Sequence, residues 1–143
     1  MKVNIELLPY GQMPTKAHVD DAGFDLYAAN EETIHLWAGD TKLIPVGFKI
    51  NLPPGWEAQI RPRSGLAFRQ SVTVLNAPGT IDAGYRGEVG VILVNHSKSK
   101  QFTVNKGDRI AQMVIKPVPK IELVVGSVDE TARGAAGYGS SGK

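Results

Sequence analysis

Residues 41–50 read TKLIPVGFKI, and Ile44, Val46, Phe48 and Ile50 recur there at every second position. That period puts four apolar side chains on one face of a β-strand. The same period returns in WEAQIRP (56–62), where Trp56, Ala58 and Ile60 point one way and Glu57, Gln59 and Arg61 the other. In EVGVILVN (88–95), Val89, Val91 and Leu93 alternate with Gly90, Ile92 and Val94, which predicts a strand buried on both faces. QFTVNKGDRIAQMVIKPV (101–118) predicts two strands joined at NKGD, with Gly107 at the turn, and KIELVVGSV (120–128) predicts another strand. Turn signals recur at short intervals, as in PYGQMP, LPPGW, NAPG and NHSKSK. SGLAFRQ (64–70) is the one stretch that reads as a helix, about two turns long, with Ser64 as a candidate N-cap. Many short strands punctuated by Gly and Pro imply an all-β sandwich or barrel of jelly-roll type. Low complexity begins near Gly126. Residues 1–125 are therefore expected to form one domain, and residues 126–143 a flexible C-terminal arm.

The chain has 143 residues, room for one core and not for two. With no cysteine, disulfides, thiolate nucleophiles and Cys-ligated zinc are excluded. His18, His35 and His96 lack metal-ligand spacing and read as surface or packing residues. A net charge of +2 gives no broad electrostatic case for a nucleic-acid or membrane partner, and neither is expected. The first residues, MKVNIELLPYG, carry no long apolar stretch of the signal-peptide kind, so a cytoplasmic protein is the expectation.

Five islands carry polar groups that strand pairing does not require. DAGFDLYAA sets Asp25 in an otherwise apolar strand, where the carboxylate is either paired or faces a cleft holding a cation. RPRSGLAF presents Arg63, Ser64 and Gly65 at a strand-to-helix junction; a guanidinium, a hydroxyl and free backbone N–H groups suit a phosphate, although capping explains Ser64 equally well. NAPGTIDAGYRGE reads as a hairpin with Asp82 at its mouth and Tyr85 three residues on. A carboxylate there can orient a water as general base, and the ring can stack on a sugar or base; an Asx-turn with a core tyrosine is the plainer alternative. KGDRIAQMVI places Gln112 among apolar neighbours, a buried amide in need of partners, and Arg109, which pairs with a carboxylate or a ligand. The fifth island, RGAAGYGSSG (133–142), is too glycine-rich to fold alone, yet Arg133 can neutralise phosphate and Tyr138 can cover a flat base.

Taken in order, these islands resemble the five motifs of the trimeric dUTPase family, the deoxyuridine triphosphate nucleotidohydrolases, from AGFDLYAA to RGAAGYGSSG. The resemblance implies a distorted jelly-roll β-barrel and a homotrimer with active sites at subunit boundaries. It implies Mg²⁺-dependent hydrolysis of dUTP to dUMP and pyrophosphate, which keeps uracil out of DNA and supplies dUMP for thymidylate synthesis. By resemblance Asp25 holds water ligands of Mg²⁺. Ser64 and Gly65, with Arg63 nearby, contact the phosphates. Asp82 positions the attacking water, and Tyr85 packs against the deoxyribose. Gln112 contacts the phosphates or the metal's water shell. The hairpin from Asn76 to Tyr85, including Thr80 and Ile81, reads the uracil edge. Arg133 and the small residues after it close over the triphosphate, with Tyr138 on the uracil and Gly139 and Ser140 beside it. The tail departs from the family pattern at Ala136, Tyr138 and Ser141; Ala136 matters if that position needs a positive φ. A dCTP deaminase is similar in fold but needs a glutamate where Ile92 stands. A non-catalytic nucleotide-binding trimer is opposed by the intact Asp25, Asp82 and Tyr85.

Overall fold

Strand pairing accounts for most of the period-two stretches. The structure is a computed structural model that describes residues 1–137. In chain order it contains β1 (Asn4–Leu7), β2 (Phe24–Tyr27), β3 (Ile34–Leu36), β4 (Thr41–Pro45), β5 (Phe48–Asn51), β6 (Trp56–Arg61), α1 (Ser64–Gln70), β7 (Val72–Val74), β8 (Gly79–Ile81), β9 (Gly90–Asn95), β10 (Phe102–Val104) and β11 (Arg109–Pro117). They form four sheets, ordered β1-β5, β10-β3, β2-β11-β6-β8 and β4-β9-β7. The pairings described are antiparallel. The fold is a jelly roll in which these sheets enclose one core, with no continuous hydrogen-bonded ring around it among the described residues. No described helix is long and apolar enough to cross a membrane.

Ile44, Val46, Phe48 and Ile50 all face the core, and burying a side chain the size of Phe48 contributes about 1.5–3 kcal/mol. The stretch is nonetheless two strands rather than one. Gly47, at φ 68°, turns the chain so that β4 pairs with β9 while β5 pairs with β1. In β9, Val91, Leu93 and Val94 are buried, but Ile92 is only half-buried against its exposed register partner Leu43. Burial on both faces therefore holds for part of the strand.

Three expectations are corrected. Asn76 to Tyr85 is not a hairpin of two paired strands: β7 pairs with β9 and β8 with β6, each as an edge strand of its own sheet. What remains is a turn on either side of β8, closed by Ala77 N–H to Val74 O (3.2 Å) and Tyr85 N–H to Asp82 O (3.0 Å). KIELVVGSV forms no strand. The segment 118–137 is exposed throughout and pairs with none of the described sheets. Ser64 is not the N-cap of α1: Arg63 holds that position, in extended conformation and without a side-chain cap hydrogen bond.

Candidate active site

Strand register gathers the first group of polar residues. In the β2-β11-β6 array, Gln112 lies opposite Asp25 on one side and Arg61 on the other. The chain leaves β6 through Pro62 and turns into α1 at Arg63, above the same row. Arg63 Nε donates to Asp25 Oδ1 at 3.1 Å, and Arg109 Nη1 donates to Asp25 Oδ2 at 3.2 Å. Arg63 Nη1 also donates to the Arg109 carbonyl (3.1 Å), so the three residues form one charged knot. Gln112 donates from Nε2 to the Pro62 carbonyl (2.9 Å), which satisfies the half-buried amide and directs Oε1 toward Gly23. Asp21, Gly23, Asp25, Arg63, Ser64, Gly65, Arg109 and Gln112 line a cleft of about 380 Å³. Ser64 is exposed, and its hydroxyl has no partner among the described residues, so capping does not consume it.

This cleft is suited to a polyphosphate with a divalent cation. No cluster of three or more His, Cys, Asp or Glu exists among the described residues, so these residues build no metal cage. Magnesium rarely uses one; it keeps waters and is held by one or two carboxylates plus substrate phosphates. A carboxylate accepts at about four lone-pair positions. Asp25 gives two to arginines and keeps the rest for water, which fits a cation held through its hydration shell.

A second cleft, of about 190 Å³, is lined by Thr80, Ile81, Asp82, Tyr85, Val89 and Gly90. Tyr85 is 46% exposed, which rules out a core tyrosine. Its hydroxyl donates to the Glu88 carbonyl (2.8 Å). Arg86 staples the turn by donating to the carbonyls of Ala83 (2.6 Å) and Tyr85 (2.8 Å). Asp82 is exposed at this turn. Sequence reasoning had not placed Val89 and Gly90 at a site; the available signal was a glycine interrupting an apolar strand. Asn76 lies in the turn before β8, with its amide against Gly79, and is not part of the lining.

The two clefts share no lining residue, so one chain does not bring Asp82 into the cleft that holds Asp25, Ser64 and Gln112. Arg133 lies in neither: it is exposed and donates from Nε to the Ala136 carbonyl (3.0 Å) within its own turn. Positive φ in that turn falls at Gly134 (51°), and Ala136 is free of it. Tyr138, Gly139, Ser140 and Ser141 lie outside the described residues. Glu88, the acidic residue nearest Ile92 along the chain, accepts from Gly47 N–H (3.1 Å).

The dUTPase family profile matches residues 9–142. A deoxyuridine 5'-triphosphate nucleotidohydrolase of Gloeothece citriformis is 52% identical over 131 residues, covering 91% of this chain and 88% of the relative. The enzyme of that name from Clostridium tetani is 53% identical over 133 residues, covering 92% and 90%. Among solved structures, a mutant dUTPase of Staphylococcus bacteriophage 80alpha with dUpNHpp superposes with a TM-score of 0.87 at 27% identity, covering 99% of both chains. A mutant dUTPase from phage phi11 of S. aureus, described as revealing the coordination of a structural Mg(II) ion, gives a TM-score of 0.79 at 26% identity, covering 92% of this chain and 99% of that one. The chain belongs to the dUTPase family, the dUTP diphosphatases.

Proposed function

We propose that this protein hydrolyses dUTP to dUMP and pyrophosphate by directing a water in line onto the α-phosphorus, at sites completed between copies of the chain in a homotrimer. The observation that carries the reading is the division of the site. One cleft offers cations, a hydroxyl and a carboxylate suited to phosphates. The other offers a carboxylate and a sugar-sized ring with little positive charge. Each is half of what a nucleotide hydrolase needs, and a neighbouring copy supplies the complement.

In this reading Arg63, Ser64, Gly65 and Gln112 hold the phosphates in one cleft. The backbone of Thr80 and Ile81 meets the uracil edge at the other, with Asn76 in the turn that leads into it. A cytosine amino group there would leave mismatched groups buried, which discriminates strongly. Tyr85 lies against the deoxyribose and crowds out a 2′-hydroxyl. Asp82 holds the attacking water and takes its proton; in-line placement can supply ~7–11 kcal/mol and base assistance a factor of about 10²–10⁴. Mg²⁺ would neutralise the phosphates and fix their conformation when bound, with Asp25 accepting from its waters. Residues 126–143 form an arm beyond the jelly-roll domain. Arg133, Tyr138, Gly139 and Ser140 fold over the nucleotide of a neighbouring site, and the ordering entropy falls due on binding. The reaction keeps uracil out of DNA and supplies dUMP for thymidylate synthesis. We assign it to the cytoplasm, which holds deoxynucleoside triphosphates.

The test is pyrophosphate release from dUTP, dCTP, dTTP and UTP side by side, with Mg²⁺ and with chelator. Release from dUTP alone, abolished by chelator, supports the proposal. Ammonia from dCTP, or no release from any nucleotide, contradicts it.

A further inference from the structure

We infer that Arg69, on the last turn of α1, is a phosphate-binding residue of the first cleft, acting on the pyrophosphate portion of the substrate. The inference rests on the functional reading above. Both arginines that line the cleft are already engaged, since Arg63 and Arg109 each donate to Asp25. Asp21 adds a second carboxylate to the lining, so the cleft's formal charge is close to balanced without a ligand. Beyond the cation bound with it, a triphosphate entering such a cleft gains from a cationic side chain that is not already paired.

Arg69 meets that need. It is exposed and forms no ion pair or side-chain hydrogen bond among the described residues. It stands four residues after Gly65, on the same face of the helix. Gly65 lines the cleft, and a methyl group there would lie 2.7 Å from Arg69 Nη2 and 3.5 Å from Cζ. The missing side chain at Gly65 is what lets the guanidinium lie against this residue of the cleft lining. The planar fork can then present two N–H groups to phosphate oxygens in a fixed geometry, where an ammonium acts as a point charge. A basic residue in a last helical turn also complements the helix C-terminus. That role predicts an effect on stability and none on ligand choice, so the two are separable.

The experiment is calorimetric titration of the full-length wild type, Arg69→Gln and Arg69→Lys with dUpNHpp, inorganic pyrophosphate and dUMP, each with Mg²⁺, alongside thermal unfolding. Arg69→Gln is expected to weaken dUpNHpp and pyrophosphate by about tenfold or more and to leave dUMP within about twofold, with Tm unchanged. Arg69→Lys, which keeps the charge and loses the fork, falls between. Unchanged dUpNHpp affinity in Arg69→Gln overturns the inference, as does an equal loss for dUMP. If the wild type binds dUpNHpp and hydrolyses dUTP while Arg69→Gln matches it, this inference alone fails. If the wild type does neither, the functional reading fails with it.

Discussion

Arg63 and Asp25 are 38 residues apart in the chain and joined by a 3.1 Å hydrogen bond from Nε to Oδ1, which ties the entrance of α1 to β2. Their side chains are 28% and 18% exposed. Arg63→Ala leaves the half-buried Asp25 carboxylate with the more exposed Arg109 alone. Chemical denaturation should show a loss of about 1–3 kcal/mol, and Arg109→Ala a smaller one. Equal or negligible losses would mean that the knot does not organise the cleft.

Asp82 is exposed in its turn and makes no ion pair among the described residues, so its carboxylate is available to a water. Asp82→Asn preserves shape and removes basicity. Turnover of dUTP should fall by about 10²–10⁴ while dUpNHpp affinity is retained. Near wild-type turnover in this variant would remove Asp82 from the role of base.

The ring of Tyr85 rests on Gly87: a methyl at Gly87 would lie 2.6 Å from the ring's Cζ and 3.0 Å from Cε2. Gly87→Ala therefore forces the ring off the cleft wall without disturbing a positive-φ position. KM for dUTP should rise about tenfold, the scale of a modest overpacking strain, and UTP should begin to be accepted. Tyr85→Ala should relax the same preference. An unchanged dUTP/UTP ratio in both variants would show that the ring does not read the sugar.

Residues 118–137 are exposed throughout, and the Val118 N–H to Gly55 carbonyl bond (2.8 Å) is the last backbone tie to the strands among the described residues. Deleting 126–143 should leave Tm within a few degrees of wild type, because no core is lost, and should reduce turnover of dUTP at least about a hundredfold. Turnover by the truncated chain at the wild-type rate would show that the arm is not part of the site.

The strands were legible where burial depends on local alternation, as at Ile44, Val46, Phe48 and Ile50. The site was legible where polar groups stood out of place, as with Asp25 in an apolar strand and Gln112 between Ala111 and Met113. Pairing partners were not legible. Nothing local says that β7 and β8 seek β9 and β6 rather than each other, because partner choice is a long-range property. KIELVVGSV has a strand's pattern but lacks a neighbour in its own chain, and pattern alone does not supply one. The separation of Asp82 from Asp25 was hidden for the same reason. Both carboxylates lie on turns or strands whose places are set by residues far away in the chain. Arg69 was unreadable because its meaning depends on the side chain that Gly65 lacks.

In the proposed trimer the cleft holding Asp25 works with the cleft holding Asp82 of another copy. Its most direct test is subunit complementation: Asp25→Asn and Asp82→Asn chains, each inactive alone, are unfolded together, refolded as mixed trimers and assayed for dUTP hydrolysis. With random assembly, about a quarter of the shared sites join an intact Asp25 to an intact Asp82, so activity should return to about a quarter of wild type. No recovery in trimers verified to be mixed would place both carboxylates' work within one chain and rule out a site shared between copies.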